Sequence, residues 1–237
     1  MKRFILSLAV SLCSINGNAQ WVSGGPEIGV NLSSLSSMYH GVQSDDGTRA
    51  GLKIGGVLDI GFTQHLSIQP GLFYSVKGAH EDYIIASTNP DNTTTTTNDQ
   101  KYDYSIDYFE IPVNFEYKFG YRNIGQVFIG AGPYLAYAVG GRSTKESVTT
   151  VSRNTGVTIT SDTKSSSDLM IGNNAGVDNI THTDGGININ FGFEAANGLI
   201  IRTNLGFGIA NIMPGGDANN YMRNNVLGLS IGYLFGH

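Results

Sequence analysis

The residues with the greatest capacity for chemistry in this sequence are acids and bases within segments of alternating apolar and polar residues. Alternate side chains of a strand point to opposite faces, so charged residues of one parity share a face. On this rule nine charges point to the polar inside of a closed sheet: Glu27, Lys53, Asp59, Lys77, Glu110, Glu116, Lys118, Glu194 and Arg202. Unpaired charges away from water are costly, so five acids and four bases in a narrow interior should pair. The pattern predicts a structural salt-bridge network, with a gated proton or ion path as the alternative.

Nucleophilic or metal chemistry would draw on histidine, and the five histidines of the chain are scattered. His40, His80 and His182 fall in long polar connections, His65 in a short turn and His237 at the last position. No short motif couples any of them to a serine, as covalent catalysis by a nucleophile–base pair requires. The three histidines of the long connections could meet at a metal ion, but scattered surface histidines are far commoner. We predict no enzyme activity and no catalytic, cofactor or metal site.

The strongest strand signal is the segment 107–119. From position 109 its odd residues are apolar and mostly aromatic, and polar residues alternate with them: Glu110, Asn114, Glu116 and Lys118. The polar face is too charged for a buried core, and the apolar face is too long and aromatic for contact with water. Such a strand fits the wall of a membrane barrel, with lipid on one side and a polar lumen on the other.

Seven further segments alternate in the same way, near residues 26–35, 50–62, 66–79, 126–140, 186–196, 199–212 and 225–235. Short turns at 63–65, 120–123 and 197–198 alternate with four long polar connections. Short turns on one rim and long loops on the other are typical of outer-membrane barrels, in which the short turns are periplasmic. We therefore predict an all-β fold, an eight-stranded antiparallel up-and-down transmembrane β-barrel. Its lipid face should include Leu58, Ile111, Phe115, Ile129, Phe191 and Leu229.

The long connections carry little pattern. Residues 80–103 include five consecutive threonines, and residues 141–184 are rich in Ser, Thr, Asn and Asp. These stretches could be mobile or could extend the strands above the membrane. We expect a solvated surface there rather than a dedicated ligand site. Within the strands, Pro112 and Pro133 are expected to mark bulges, because proline removes a donor from the ladder.

The first residues have the character of a secretory signal peptide. A basic start, Met1-Lys2-Arg3, precedes an apolar run over 4–15 and small residues up to Ala19. The run is too short to span a bilayer as a helix, so we predict Sec export and cleavage after Ala19. Residues 1–19 would then be the signal peptide and residues 20–237 one barrel domain. Without Lys2 and Arg3, 12 basic residues face 19 acidic ones, a net charge of −7 that argues against a nucleic-acid partner.

Four segments carry a family resemblance. Leu66–Gly78, Tyr108–Val113, Phe128–Tyr134 and Gly206–Ile212 resemble the third, fourth, fifth and penultimate strands of the PorT-like outer-membrane β-barrel family of Bacteroidetes. The resemblance implies an eight-stranded barrel in the cell outer membrane. It implies little about activity, because the family is defined by its barrel.

The function predicted from these features is structural. The protein should anchor in the outer membrane or mediate interactions, with a closed, charge-filled lumen and long extracellular loops. Its expected partners are outer-membrane lipids, the barrel assembly machinery and an extracellular or periplasmic protein that the sequence does not identify. Two alternatives remain: an outer-membrane lipid-modifying enzyme, and a soluble lipocalin-like barrel with its apolar residues facing inward. Aromatic residues near both strand ends favour a membrane barrel.

Overall fold

The computed structural model describes residues 21–89 and 93–236, and the fold there is all-β. Its ten strands are β1 (Trp21–Tyr39), β2 (Val42–Asp45), β3 (Gly47–Gly61), β4 (Leu66–Thr88), β5 (Thr94–Tyr121), β6 (Gly125–Arg153), β7 (Thr158–Asp168), β8 (Thr183–Ala195), β9 (Leu199–Gly208) and β10 (Tyr221–Tyr233). The described ranges contain no helix long and apolar enough to cross a membrane. The predicted signal peptide, its cleavage site and His237 lie outside these ranges.

Eight of these strands close into a barrel. The sheet runs in the order β10-β9-β8-β6-β5-β4-β3-β1, and β10 pairs back onto β1 from Glu27↔Gly232 to Met38↔Tyr221. Every pairing in the ring is antiparallel, and each barrel strand pairs with the next barrel strand along the chain. The short β2 pairs with β1, and β7 pairs with β6, outside the ring. The predicted eight-stranded up-and-down barrel is confirmed.

Alternation decides which side chains face outward. The six residues expected on the lipid face, Leu58, Ile111, Phe115, Ile129, Phe191 and Leu229, are between 49% and 61% exposed. Their neighbours of opposite parity are buried, as Glu110 and Glu116 show. Ile60 has the same parity as Leu58 but is only 7% exposed, and its cross-strand neighbours on β1 and β4 are Val22 and Ile68. Elsewhere the wall presents a broad apolar band to its surroundings.

The two prolines within strands do not form bulges, contrary to expectation. The β5–β6 register is the same at Pro112↔Tyr134 and at Phe115↔Ala131, so no residue is inserted near Pro112 or Pro133. A proline lacks an amide donor, but here the ladder continues in register past it. The register shifts in the barrel wall instead between Thr48 and Lys53, and between Asp107 and Tyr108.

Beyond the second shift, three strands continue far past the barrel. β5 and β6 contain 28 and 29 residues, which at about 3.3 Å per residue is roughly three times the length that a membrane strand needs. Their outer halves pair with the outer half of β4 and with β7. Residues 80–88, 94–105, 142–153 and 158–168 thus form a four-stranded sheet, here called the extension sheet. Of the two possibilities for the long connections, strand extension is the one observed in these segments.

Two other connecting segments fold over the long-loop end of the barrel. Residues 169–182 and 209–220 meet through a hydrogen bond from the Thr181 amide to the Ile212 carbonyl, 2.8 Å long. Ile180 and Ile212 are 3% and 0% exposed and join a cluster that includes Leu35 and Ile106. We call this layer the apolar cap, and it covers the barrel mouth.

Candidate functional site: a cross-linked lumen and a capped mouth

All nine charged residues expected in the lumen are buried there, none more than 7% exposed. A tenth, Asp184, is 1% exposed and was missed from the sequence. It has the same parity on β8 as Asn188, Asn190 and Glu194, but the strand was expected to begin only at Gly186. Starting β8 at Thr183, where the structure begins it, would have placed Asp184 among the inward residues.

Lys118 joins opposite walls of the barrel. Its Nζ on β5 lies 2.6 Å from Oδ2 of Asp59 on β3 and 2.6 Å from Oε2 of Glu194 on β8. In the eight-strand ring β3 and β8 are four positions apart, which is the full diameter. Asp59 also accepts hydrogen bonds from Gln69 Nε2 at 3.2 Å and from Trp21 Nε1 at 3.4 Å. The two bonds from Lys118, at 2.6 Å, are charge-assisted, and such bonds are stronger than hydrogen bonds between neutral groups.

Arg202 forms a second set of contacts across the lumen. From β9 its Nη1 lies 3.5 Å from Oε2 of Glu27, and its Nη2 lies 3.4 Å from Oε1 of Glu116. The same guanidinium donates a hydrogen bond to Gln69 on β4, which is the strand opposite β9. Glu27 is further fixed by the Ser230 hydroxyl, which donates to its Oε1 at 2.8 Å. The planar guanidinium suits this role because it presents several donors in fixed directions.

A third set lies nearer the apolar cap. Lys77 on β4 contacts Glu110 Oε2 at 2.7 Å and Asp184 Oδ2 at 3.3 Å. Its ammonium also lies 4.4 Å from the centroid of the Tyr134 ring. Asn224 Nδ2 donates to the same Asp184 oxygen at 3.0 Å. Polar groups from β4, β5, β8 and β10 therefore meet directly below the cap.

Lys53 is the exception among the predicted charges. Its ammonium lies 4.2 Å from the centroid of the Phe73 ring. Within the described residues it forms no ion pair shorter than 4 Å, whereas the other eight predicted charges all do. With Asp184 the lumen holds six acids and four bases among the residues at 21–89 and 93–236. Ion pairs engage nine of these ten charges.

The histidines do not assemble into a site. His40 lies in the β1–β2 turn, His80 on β4 and His182 just before β8. His65 uses Nδ1 in a 2.9 Å hydrogen bond with the backbone carbonyl of Lys118. Across the part of the chain that the structure describes, no three His, Cys, Asp or Glu side chains are grouped to hold a metal ion.

The two faces of the extension sheet differ. One face continues the lumen wall and carries three tyrosines: Tyr102 lies 6.1 Å from Tyr83 and 6.2 Å from Tyr104 between ring centroids. The Tyr83 hydroxyl donates to Glu81 at 2.8 Å, and this bond to the carboxylate raises the pKa of Tyr83 to about 12. Burial, followed by the charge of Glu81, raises the pKa of Tyr104 to about 12. This face is aromatic and negatively charged near Glu81.

The opposite face of the extension sheet carries ion pairs. Arg49 Nε lies 2.9 Å from Asp103 Oδ1 where β3 meets the sheet. Further out, the cross-strand row Asp82, Lys101, Glu146 and Lys164 alternates in charge, and Lys164 pairs with Glu146. Exposed pairs contribute little stability, but opposite charges side by side favour this register over others.

An apolar outer band, a polar cross-linked lumen and one rim of short turns together define an integral outer-membrane β-barrel protein. The family model for the outer membrane protein beta-barrel domain matches residues 18–214, and the chain belongs to this family. The protein is therefore located in the outer membrane. The soluble lipocalin-like alternative is not supported, because it requires the apolar residues to face inward.

Several solved barrels are similar to this chain. Ail, the attachment invasion locus protein of Yersinia pestis, solved with the heparin analogue sucrose octasulfate, is 10% identical; the match covers 91% of this chain and 100% of Ail, with a TM-score of 0.38. Neisserial surface protein A is 13% identical over 89% of this chain and 96% of that chain, with a TM-score of 0.40. The N-terminal barrel domain of Pseudomonas aeruginosa OprF is 12% identical over 90% and 99%, with a TM-score of 0.29. No curated protein matches the sequence.

Proposed function

We propose that this protein is a closed outer-membrane anchor that presents the extension sheet outside the cell as a contact surface. The observation that carries the proposal is the continuity of β4, β5 and β6, which run unbroken from the cross-linked barrel wall into the sheet. In outer-membrane barrels the longer connections are extracellular, which places the extension sheet on the outside. A filled lumen below and an ordered sheet above favour display over transport.

The form of the sheet suits contact with another molecule. Cross-strand hydrogen bonds hold its four strands in one arrangement, so binding would cost less conformational entropy than binding by a loose loop. β7 is one edge strand of the sheet, the outer half of β4 is the other, and the β7 residues Thr158–Asp168 are all exposed. An edge strand can pair with an extended segment of a partner. A protein partner outside the cell is therefore our first candidate, and a periplasmic partner our second.

The family subgroup and the export route of the protein are proposed from the sequence. The four resembling segments support membership of the PorT-like group of Bacteroidetes barrels. The basic start and the apolar run over 4–15 support Sec export with cleavage after Ala19. Insertion would then depend on the barrel assembly machinery and on outer-membrane lipids as partners. We also propose that the protein has no enzyme activity, since nine of the ten buried charges described in the lumen form ion pairs with one another, and nothing observed favours lipid modification.

Site-specific photocrosslinking on intact cells tests the proposed function. A photoreactive residue at Thr163, on the edge strand, should yield a protein adduct of defined mass. The same residue at Leu229, which is 55% exposed on the barrel wall, should not yield that adduct. Identical adduct patterns at the two positions would argue against the extension sheet as the contact surface.

A deletion provides the matched control. Thr144 and Ser166 face each other across β6 and β7, with their hydroxyl oxygens 3.3 Å apart. Joining these two positions removes the outer β6–β7 hairpin and leaves the barrel strands intact. The variant should still fold and insert, as shown by its heat-modifiable migration in gels, but should lose contacts made by the sheet. Full retention of those contacts would exclude β7 from the contact surface.

A further inference from the structure

A cavity of about 320 Å³ lies at the barrel mouth, between the apolar cap and the tyrosine face of the extension sheet. Its apolar lining includes Leu35, Ile106 and Ile180, which are at most 3% exposed. Its polar lining consists of Glu81, Tyr104, Ser143, Ser167 and Asn179. Cavities of roughly 300 Å³ and above, mainly apolar with a few polar groups, are the usual form of small-molecule sites.

The register of the strands sets the polarity of this cavity from floor to rim. Ile106 pairs with Lys77 at the level of the lumen, and Tyr104 pairs with Ala79 one step further out. Glu81 pairs with Tyr102, another step out. Each step is two residues, about 7 Å along a strand. An apolar floor therefore lies beneath an aromatic wall and an acidic rim.

The charge at the rim selects the ligand. Glu81 is the only charged residue that lines the cavity among the residues described. The pKa of Tyr104 is raised to about 12 by burial, by Glu81 and Tyr102 and by Asp46, which agrees with a negative potential at this rim. On the same face the Lys145 ammonium lies 5.1 Å from the centroid of Tyr102, so these rings already accommodate an ammonium group. Such rings attract cations through their electron-rich faces.

We propose that this mouth cavity binds a small amphipathic primary amine. Its aryl or alkyl end occupies the apolar floor, and its ammonium group lies at the rim between the Glu81 carboxylate and the tyrosine rings. The Glu81 carboxylate repels an anion, and a neutral molecule gains no charge interaction with it. The proposal shares with the proposed function only the extracellular position of the mouth, and it requires no protein partner.

Calorimetric titration of the full-length protein in lipid nanodiscs tests the proposal. The probe is 2-phenylethylamine, and 2-phenylethanol is its uncharged match. The amine should bind saturably at one site, and the alcohol about tenfold more weakly, the factor that one charge interaction of about 1.4 kcal/mol supplies. Glu81→Gln should weaken amine binding to a similar degree.

Asp82→Asn is the matched control. Asp82 follows Glu81 on β4 and therefore points to the opposite face of the sheet, where it pairs with His80 at 3.1 Å. Its affinity for the amine should be unchanged. Ser143→Leu, which fills the wall of the cavity, should abolish binding without loss of heat-modifiable migration.

Equal binding of amine and alcohol, or equal effects of Glu81→Gln and Asp82→Asn, would overturn the proposal. Saturable binding of glucose in place of the amine would overturn it as well and assign the cavity to neutral sugars. Neither result bears on the Thr163 crosslink, because Thr163 lies about 13 Å along β7 from Ser167, the residue of that strand that lines the cavity. Failure of this inference is therefore distinguishable from failure of the proposed function.

Discussion

Lys118 and Asp59 are joined across the barrel at 2.6 Å, and the same Lys118 ammonium contacts Glu194 on the opposite wall at 2.6 Å. One cation thus holds two carboxylates from strands a full diameter apart. All three side chains are at most 1% exposed, so water does little to screen them. The contact therefore links the two walls and places one positive charge between two negative ones.

Removing this cation should be more damaging than removing the whole group. Lys118→Met leaves two buried carboxylates uncompensated, which should lower the free energy of unfolding by about 3–5 kcal/mol. The triple variant Asp59→Asn, Lys118→Met, Glu194→Gln should cost less, because no charge remains unpaired. Urea unfolding in lipid vesicles measures both. A triple variant as unstable as the single one would show that the ion pairs themselves, rather than their balance, stabilise the barrel.

Parity within single strands accounts for most of what the sequence predicted. Alternation in 107–119 places Glu110, Glu116 and Lys118 on one face whatever the neighbouring strands do, and the same holds for the other barrel strands. The inward charges and the outward apolar band were therefore accessible from local pattern. Asp184 was not, because two glycines follow it and contribute no side chains to the alternation.

Contacts between distant strands could not be predicted in this way. Lys118 meets Asp59 and Glu194 only because the stagger of β3, β5 and β8 brings three separate positions to one level, and no single strand encodes that stagger. The extension sheet was undecided for another reason. Both of its faces carry polar residues, as Gln100 and Lys101 show, so its strands lack the apolar–polar contrast on which the period depends.

The outer face should tolerate charge poorly. Phe115 is 61% exposed near the middle of its membrane strand, and Phe115→Arg should cost about 2–4 kcal/mol because it places a cation in the hydrocarbon. Gln at the adjacent inward Asn114 should be mild, and Phe115→Leu controls for loss of the ring. Unfolding in vesicles of defined lipid gives the three values. Similar losses at 114 and 115 would contradict the assignment of inside and outside.

The lumen should not conduct like a porin. Lys118 and Arg202 join opposite walls, and an eight-stranded barrel is only wide enough for its side chains. Single-channel recordings in planar bilayers should therefore show no steady, porin-sized current. Stable large openings at low voltage would favour the gated ion path instead. The double variant Lys118→Met, Arg202→Met, if it inserts, should raise the frequency of brief openings.

Tyr83 and Tyr104 of the extension sheet should titrate late. Their pKa values near 12 exceed the unfolded value of about 10, so the folded sheet retains these protons longer and loses stability as the pH rises from about 10 to 12. Glu81→Gln should lower the pKa of Tyr83 and Tyr104, because it replaces the charged acceptor of one by a neutral amide and removes the neighbouring charge of the other. Phenolate absorbance follows the titration, with Asp82→Asn as control. Unchanged titration in Glu81→Gln would contradict the position of Glu81.

The orientation of the barrel predicts which segments are accessible from outside the cell. An epitope inserted within Thr93–Thr97, at the outer end of the β4–β5 hairpin, should bind antibody on intact cells, because that hairpin belongs to the long-loop rim. A tag after His237 should become accessible only after the outer membrane is permeabilised, since β10 runs toward the short-turn rim and its aromatic Tyr233 lies there. Heat-modifiable migration of both tagged proteins controls for folding. A hidden hairpin epitope together with an exposed terminal tag on intact cells would mean that the barrel is inserted in the opposite direction, with the extension sheet in the periplasm.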